Sequence, residues 1–479
     1  MRKTKLTIKI ISLTLAVIFP FLLIFSVVFF TEPEYDDSFV GILDEKLDRL
    51  YGTEGEKIVI IGCSSAAFGY DSEIIEKYLE RPVINMGIYA ALGTKLMLDL
   101  SKDAIGEGDI VIIAPELDSQ TLSLYFDPDT ALRALDGSPR YLFDIPKEHR
   151  ASLLGASFEF ASEKLSYKLS AAPSFDGIYS SKSFNERGDI GVYRAENTMF
   201  DYYDSNVKIR LNADIIEDEF IDYLNEYAGY CASVGASIYF EFCPMNRLGF
   251  DGDSKDASAR LDFERQLRKM LDFPVIASSI EDYVYNEGYF YDSNLHLNSA
   301  GVINHTLNVT RDLLLELGIN KAITDLTPPP PQLPEKDVRY FGDDENSVYF
   351  NYEKMQDGAY TIVGVKEEYL DEKTLTVPLG YQDYKVTKIA ANAFVGSSVE
   401  TLIVTADTNL RAFDNGAFDG AGSLKALYMY YSNCNEIEPP RDFNGVNEQF
   451  KVYVPENSEY ETDAYGWGDV GLDFEYIYD

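Results

Sequence analysis

A series of short apolar runs, separated by amphipathic segments, constrains the fold more than any other feature of this sequence. In chain order the runs are KIVIIGC (57–63), PVINMG (82–87), DIVIIAP (109–115), ASIYFEFCP (236–244) and FPVIA (273–277). Runs that are apolar on both faces are typical of strands in a buried parallel sheet. Strands that alternate with helices imply crossover connections and a sheet covered on both faces. We therefore predict an α/β domain over residues 50–322.

Residues from about 121 to 210 interrupt this alternation. The segment is rich in Tyr, Phe, Ser and Asp and has weak periodicity, so we interpret it as an insertion over one end of the sheet. Long irregular insertions often serve as lids or binding walls. A decorative excursion without a role in binding is an equally good interpretation of the same composition.

The amino-terminal region predicts a membrane anchor. Residues 10–30 carry no charge and are long enough to cross a hydrocarbon core of about 30 Å. Basic residues lie in the preceding tail, 1–9, and acidic residues follow the apolar run. Because positive charge stays in the cytoplasm, we expect a single-pass cell-membrane protein with its bulk outside. A cleaved signal peptide is the alternative, but its apolar core would be shorter and a small-x-small cleavage site would follow it.

A proline run divides the chain into two regions of different character. TPPPPQLPEKD (327–337) favours stiff polyproline II, so residues 323–340 are predicted to be a linker. Beyond it, ANAFVGSSVETLIV (391–404) aligns with NGAFDGAGSLKALYM (415–429), a repeat of about 24 or 25 residues. Such a period with apolar positions in register indicates a leucine-rich solenoid.

These repeats resemble the BspA-like leucine-rich repeats of bacterial surface proteins. The resemblance rests on the pattern AF-x-G followed by L-x-x-L-x-V, and on the ending VPENSEYETDAYGW (454–467). It implies that residues 341–479 form a small binding or spacer module without chemistry of its own. We expect this module to fold independently.

Composition excludes several classes of function. The chain of 479 residues has 41 basic and 80 acidic side chains, a net charge of -39, so nucleic acid is not expected as a partner. Solubility alone also explains that charge. Its four cysteines show no CxxC spacing and no neighbouring histidines, so we expect no zinc site and no cofactor. Cys231 and Cys243 could pair, although small buried thiols are the favoured state.

Candidate catalytic residues follow the first strand and precede the last helix. Ser64 and Ser65 stand at the tip of the first apolar run, where open α/β sheets place their sites. A serine needs a base, usually histidine. His149 lies among charged residues of the insertion and His305 within the last helix, which leaves His296 in YFYDSNLHLNSAG (289–301). Asp292 could orient the His296 ring, although a turn residue beside a chance histidine gives the same spacing.

The two stretches together resemble the SGNH/GDSL hydrolase family. IIGCSSAAFGYDSEII (60–75) is similar to the first block of exported relatives, including alginate O-acetyltransferase-like and polysaccharide acyltransferase branches, and YDSNLHLNSAG is similar to the last block. The resemblance, which covers about 55–320, implies a three-layer α/β/α fold with Ser64 as the nucleophile, His296 as the base and Asp292 as its orienting acid.

The same resemblance implies an oxyanion hole formed by the backbone N–H groups of Ser64 and Gly87. Asn85 and Asn246 are the candidate side-chain donors. The family's third block, Gly-x-Asn-Asp, is missing, and APELDSQ (114–120) places Glu116 where an asparagine would donate. The spacing of Asp292 and His296 is also one residue longer than in the family. A weak or degenerate enzyme is therefore an alternative.

The expected function is an extracellular, membrane-anchored serine esterase or O-acyltransferase. It would act through an acyl-serine on esters of a cell-surface polysaccharide or another acylated glycan. A membrane acyl donor, and a protein or glycan ligand of the repeats, are further candidate partners. The alternative is a non-catalytic surface adhesin with a degenerate SGNH scaffold. A metal-dependent phosphoesterase would need clustered Asp and His ligands, which the sequence does not display.

Overall fold

The computed structural model of the chain divides into two compact units. One unit comprises Met1–Thr198 and Ile209–Leu333, and the other comprises Met199–Lys208 and Pro334–Asp479. The structure describes residues 2–169, 174–175, 177–332, 338–340, 342, 344–355, 357–441, 443–456, 458, 460, 467–470, 472 and 474–477.

The first unit alternates helices with short strands. Its helices are α1 (Arg2–Phe30), α2 (Leu43–Gly52), α3 (Ser64–Ala67), α4 (Ser72–Leu79), α5 (Thr94–Ser101), α6 (Pro128–Ala134), α7 (Arg150–Leu169), α8 (Asp218–Val234), α9 (Ala257–Met270) and α10 (Ser299–Glu316). Its strands are β1 (Ile58–Gly62), β2 (Val83–Asn85), β3 (Ile110–Ala114), β4 (Ser237–Phe240), β5 (Met245–Asn246) and β6 (Val284–Tyr285).

Four of these strands form a parallel sheet in the order β2-β1-β3-β4. Every residue of β1 and β3 is buried, as their apolar sequences predict. The mixed α/β class with parallel strands is therefore confirmed. The predicted strand at 273–277 is reduced to one parallel bridge between Phe240 and Val275. Pairing of Gly62 with Ala114 sets the carboxyl ends of β1 and β3 side by side, which positions the candidate site.

The expected membrane segment, 10–30, is part of α1, which contains Pro20. Within the described part of the chain, no helix combines the length and apolar character needed to cross a bilayer.

The second unit consists mainly of strands. They are β7 (Phe350–Lys354), β8 (Tyr360–Val365), β9 (Thr374–Thr376), β10 (Gly380–Tyr381), β11 (Tyr384–Ile389), β12 (Thr401–Val404), β13 (Ala412–Phe413), β14 (Ala426–Met429), β15 (Lys451–Pro455) and β16 (Phe474–Ile477). One sheet runs β16-β15-β14-β12-β9, and all of its neighbouring strands are parallel.

The aligned repeat positions meet in space within this unit. Leu402 pairs with Leu427, and the rings of Phe394 and Phe418 stack with centroids 5.8 Å apart. Both pairs are buried, so equivalent repeat positions contact each other in the core of the unit. Contact between equivalent positions is what the alignment of the two repeats predicts.

Residues 199–208 belong to the second unit although they lie within the predicted insertion at 121–210. The buried Lys388 ammonium explains this grouping, because it donates to Asp201 Oδ2 at 2.7 Å and forms an ion pair with Asp414 Oδ1 at 2.8 Å. Asn415 also donates to the Ser205 carbonyl at 3.2 Å. The expected module at 341–479 is therefore joined by a segment from the middle of the chain, which its sequence boundaries did not include.

Part of the predicted linker is bonded to the first unit. The Tyr289 hydroxyl donates to the Pro329 carbonyl at 2.9 Å, and the Gln332 N–H donates to the Gly288 carbonyl at 2.8 Å. Residues 333–337 of the linker lie outside the described residues. The proline run thus begins as an attached segment and not as a free spacer.

Candidate active site

Ser64 lies where β1 turns directly into α3. Gly62 is required at the turn, because a Cβ there would lie 2.3 Å from the Ala114 carbonyl oxygen of the neighbouring strand. Cys63 is extended and caps α3, so Ser64 is the first helical residue and keeps 9% of its surface exposed. The hydroxyl therefore stands at the carboxyl edge of the sheet, while the Ser65 side chain is fully buried.

His296 and Asp292 complete a hydrogen-bonded chain with Ser64. His296 Nε2 lies 2.9 Å from Ser64 Oγ, and His296 Nδ1 lies 2.9 Å from Asp292 Oδ1. Burial acts to raise the pKa of Asp292, but the bond and charge of His296 outweigh it, so this pKa is lowered. The structure thus brings the three predicted catalytic residues together with an ionised carboxylate behind the imidazole.

Two aromatic residues hold the His296 ring. The Phe68 ring stacks on it with centroids 4.2 Å apart and an interplanar angle of 9°. The Tyr179 hydroxyl donates to Asp292 Oδ2 at 2.6 Å and lies 3.3 Å from His296 Nδ1. Tyr179 comes from the insertion, whose aromatic composition was the only sequence signal for such a contact. Sequence reasoning did not identify either residue.

Glu116 makes direct contact with the nucleophile. It follows β3, and its Oε1 lies 2.9 Å from Ser64 Oγ and accepts the Ser65 N–H at 3.0 Å. The side chain is 7% exposed. Burial raises the pKa of this carboxyl. The sequence placed Glu116 at this strand end, but not its bond to Ser64.

Gly87 and Asn85, two of the predicted oxyanion donors, have other hydrogen-bond partners in the structure, which corrects their predicted role. The Gly87 N–H donates to Asn85 Oδ1 at 2.8 Å, so it already has a partner. Asn85 Nδ2 donates to the Ala66 carbonyl and to Asp189 Oδ1, each at 2.9 Å. These bonds engage both amide hydrogens of Asn85, whose function here is to tie the loop after β2 to α3. Gly87 serves close packing, because a Cβ would lie 2.5 Å from the Ala67 nitrogen.

Asn246 is also occupied by structural bonds. Its Oδ1 accepts the Leu248 N–H at 3.0 Å, and its Nδ2 donates to Asn294 Oδ1 at 3.3 Å. It is completely buried, so it is not presented as an oxyanion donor. The oxyanion role of the Ser64 N–H stays a prediction; Ser64 begins α3, and the first N–H groups of a helix have no partner inside it.

A buried lysine supports the loop that carries Gly87. Lys46 Nζ donates to the carbonyls of Asn85, Gly87 and Gly188 at 2.9, 2.7 and 2.6 Å. Burial lowers the pKa of Lys46 to about 7, against the opposing charge of Asp189. Sequence reasoning missed this residue, since its partners lie 39 to 142 positions away.

One group of side chains in the described residues has ligand atoms close enough to share a metal ion. Asp99, Glu148 and His149 offer atoms within 4.8 Å of one another. The Lys95 ammonium bonds both carboxylates, at 2.6 Å and 3.1 Å, and therefore already supplies a positive charge. The four cysteines are buried and are not joined in disulfides, so Cys231 and Cys243 do not pair.

Comparison with known proteins adds no relative. The chain matches no protein-family model, no curated protein and no solved structure. The geometry of Ser64, His296 and Asp292 is therefore the main indication of function.

Proposed function

We propose that the first unit is a serine esterase or O-acyltransferase that works through an acyl-serine. The observation that carries this proposal is the bonded chain from Ser64 Oγ through His296 to Asp292, with both contacts at 2.9 Å. This is the arrangement of nucleophile, base and orienting acid that acyl transfer requires. The finer fold that we propose with it is the three-layer arrangement of the SGNH/GDSL hydrolases.

In the proposed reaction Ser64 Oγ attacks the acyl carbonyl carbon while its proton passes to His296 Nε2. Asp292 stabilises the imidazolium that forms and keeps the ring in the required tautomer. The carbonyl π electrons move to the carbonyl oxygen, and the Ser64 N–H can donate a hydrogen bond to the oxyanion that forms. Collapse expels the alcohol, which takes the proton from His296 and leaves an acyl ester on Ser64. Water or a second hydroxyl then attacks this ester by the same steps in reverse.

We further propose a cell-surface glycan ester as the substrate and a single-pass membrane location. The support is the sequence of residues 1–37, with its uncharged run between basic and acidic flanks. For the second unit we propose a leucine-rich solenoid that binds a protein or glycan, supported by its parallel strands in repeat register.

A second candidate function is a non-catalytic adhesin built on a degenerate scaffold. The observation that favours it is the engagement of Gly87 N–H by Asn85, together with the Glu116 oxygen beside Ser64. Losing one oxyanion donor can cost roughly 100- to 1000-fold in rate. Under this hypothesis only the second unit would have a ligand.

A fluorophosphonate probe with the full-length protein separates the two candidates. We expect Ser64 to be labelled, and we expect Ser64→Ala to abolish labelling and to lower turnover of a small ester by roughly 10⁴-fold or more. Asp292→Asn should lose on the order of 1000-fold, because the imidazole would favour the wrong tautomer.

Ser65→Ala is the matched control, since its buried hydroxyl has no hydrogen-bond partner and its N–H is retained. It should keep labelling within a few-fold of the unsubstituted protein. Labelling that survives Ser64→Ala but not Ser65→Ala would place the nucleophile one residue later. No labelling of the folded protein would support the adhesin.

A further inference from the structure

The hydroxyl of Ser64 stands between two hydrogen-bond acceptors. Glu116 Oε1 and His296 Nε2 each lie 2.9 Å from Ser64 Oγ. A serine hydroxyl has one hydrogen to donate. An ionised Glu116 would compete with His296 for that hydrogen, and a serine that donates to Glu116 cannot be deprotonated by the imidazole. The protonation state of Glu116 therefore decides whether the Ser64 hydroxyl can donate its hydrogen to His296.

A neutral Glu116 gives compatible hydrogen-bond partners to Ser64 Oγ, the Ser65 N–H and His296 Nε2. A carboxylic O–H at Oε1 donates to Ser64 Oγ and still accepts the Ser65 N–H, which lies 3.0 Å away. The Ser64 hydrogen is then directed to His296 Nε2, whose other nitrogen lies against Asp292. In the resulting chain of hydrogen bonds, Glu116 donates to Ser64 and Ser64 donates to His296. This is the orientation that the attack needs.

The surroundings of Glu116 favour its neutral form. Burial raises the pKa of this carboxyl, and the charge of Asp118 raises it further. The charge of His296 and the bonds from Ser65 and Ser64 act in the opposite direction, but the net shift is upward. The neighbouring thiols of Cys63 and Cys243 are buried, and burial raises the pKa of each, which keeps them uncharged at neutral pH.

We propose that Glu116 is a further catalytic residue that acts as a neutral acid, donating first to Ser64 Oγ and then to the oxyanion. This inference rests on the proposed acyl transfer. As the bond from Oγ to carbon forms, the Oγ lone pair is consumed and the carbonyl π pair moves to oxygen. The Glu116 O–H then shifts its hydrogen bond from Ser64 Oγ to that oxygen. Glu116 keeps its proton throughout, while the Ser64 proton passes to His296.

In this role Glu116 replaces the donor that the asparagine of the family's third block would supply. A neutral carboxylic acid in an apolar site can donate to an oxyanion as an amide N–H does. It also compensates for Gly87 and Asn85, whose hydrogens have other partners. The alternative is a carboxylate that blocks the place of the oxyanion, and the two hypotheses predict opposite effects of removing the side chain.

The test compares Glu116→Gln with Glu116→Ala in the full-length protein, using the pH profile of small-ester turnover and of fluorophosphonate labelling. Unsubstituted protein should lose activity as rising pH ionises Glu116. Glu116→Gln keeps a donor that does not titrate, so it should remain within about tenfold at low pH and lose the alkaline decline. Glu116→Ala should stay roughly 100-fold below the maximal activity of the unsubstituted protein, without an alkaline decline of its own.

Infrared difference spectra supply a readout that needs no activity. A protonated Glu116 contributes a carboxylic acid C=O band at neutral pH, and Glu116→Gln should remove it. Glu241→Gln is the matched control, because Glu241 is another buried carboxyl with a raised pKa, bonded to Tyr70 and outside the site. It should lose its own band and leave the pH profile of turnover unchanged.

Three outcomes are decisive. Glu116→Ala that is more active than the unsubstituted protein would show a blocking carboxylate, and an unchanged carboxylic acid band in Glu116→Gln would show an ionised Glu116. Either result overturns the inference while leaving the esterase intact. If the Glu116 band is present but no form of the protein turns over ester or takes up probe, the esterase itself fails, and the donor role with it.

Discussion

Two histidines near the last helix of the first unit each face a carboxyl group, but in very different surroundings. His296 lies 2.9 Å from Asp292 and 2.9 Å from Ser64 Oγ, and it keeps 9% of its surface exposed. His305 is completely buried, with Nε2 3.6 Å from Glu241 Oε1 and Nδ1 3.2 Å from the Tyr285 hydroxyl. One pair forms a bonded chain to a nucleophile, and the other is enclosed among aromatic rings.

The difference shows that a carboxyl beside a histidine is not by itself a catalytic pair. The pKa of Asp292 is lowered, so it is ionised and can stabilise an imidazolium. Burial raises the pKa of Glu241 well above its ordinary value and lowers the pKa of His305 to about 3, so both stay neutral. Access to solvent and a hydrogen-bonded nucleophile distinguish the first pair from the second.

Substituting each histidine separately is the most direct test of this difference. His296→Ala should lower turnover by roughly 10⁴-fold or more with little change in melting temperature, because its proposed role is to accept the Ser64 proton. His305→Leu should lower the free energy of unfolding by about 1–3 kcal/mol, since it leaves buried polar groups without a partner. Its turnover per folded molecule should stay within a few-fold. Thermal melts and ester assays on both variants would measure this, and loss of turnover in folded His305→Leu would refute the distinction.

A second prediction concerns how the free energy of unfolding depends on pH below 6.5. A histidine with a folded pKa of about 3 and an unfolded pKa of about 6.5 binds more protons when unfolded, so it lowers stability as pH falls below 6.5. Denaturant unfolding from pH 6.5 to pH 4 should show this contribution growing to roughly 3 kcal/mol.

His305→Leu should remove that contribution, so the difference between it and the unsubstituted protein should shrink or reverse toward pH 4. Comparing the two forms at each pH cancels the opposite trend from Glu241, which costs stability as pH rises. Parallel curves for the two forms would mean that His305 is protonated in the folded state.

The smallest expected effect concerns Tyr179, which donates to Asp292 Oδ2 at 2.6 Å. Tyr179→Phe removes one of the bonds that lower the pKa of Asp292 and leaves the His296 bond in place. We expect kcat/KM to fall about three- to tenfold, the effect of losing one ordinary hydrogen bond, because the bond between Asp292 and His296 remains. Tyr193→Phe is the control, since this tyrosine is 79% exposed. An equal effect of both substitutions would argue for a general role of the insertion.

Local patterns in the sequence predicted the parallel strands and the three residues, Ser64, His296 and Asp292, that meet at the candidate site. The apolar runs of β1 and β3 required burial on both faces, and the order of serine, aspartate and histidine along the chain fits a known arrangement. The oxyanion donors could not be predicted in the same way. Whether Asn85 is free depends on Asp189, 104 positions away, and the bond of Glu116 to Ser64 depends on the register of β1 with β3.

The place of residues 199–208 in the second unit has a consequence for biosynthesis. Asp201 is translated 187 residues before its partner Lys388. At about 5–20 residues per second, its carboxylate waits roughly 10–40 s for the ammonium that it bonds in the finished chain. The first unit can therefore complete its sheet on the ribosome while this segment is still unpaired, and the second unit cannot be finished until nearly the whole chain has been made. A shortened chain that stops before Lys388 would leave the segment permanently without its partner, so a truncation meant to isolate the first unit should replace residues 199–208 as well.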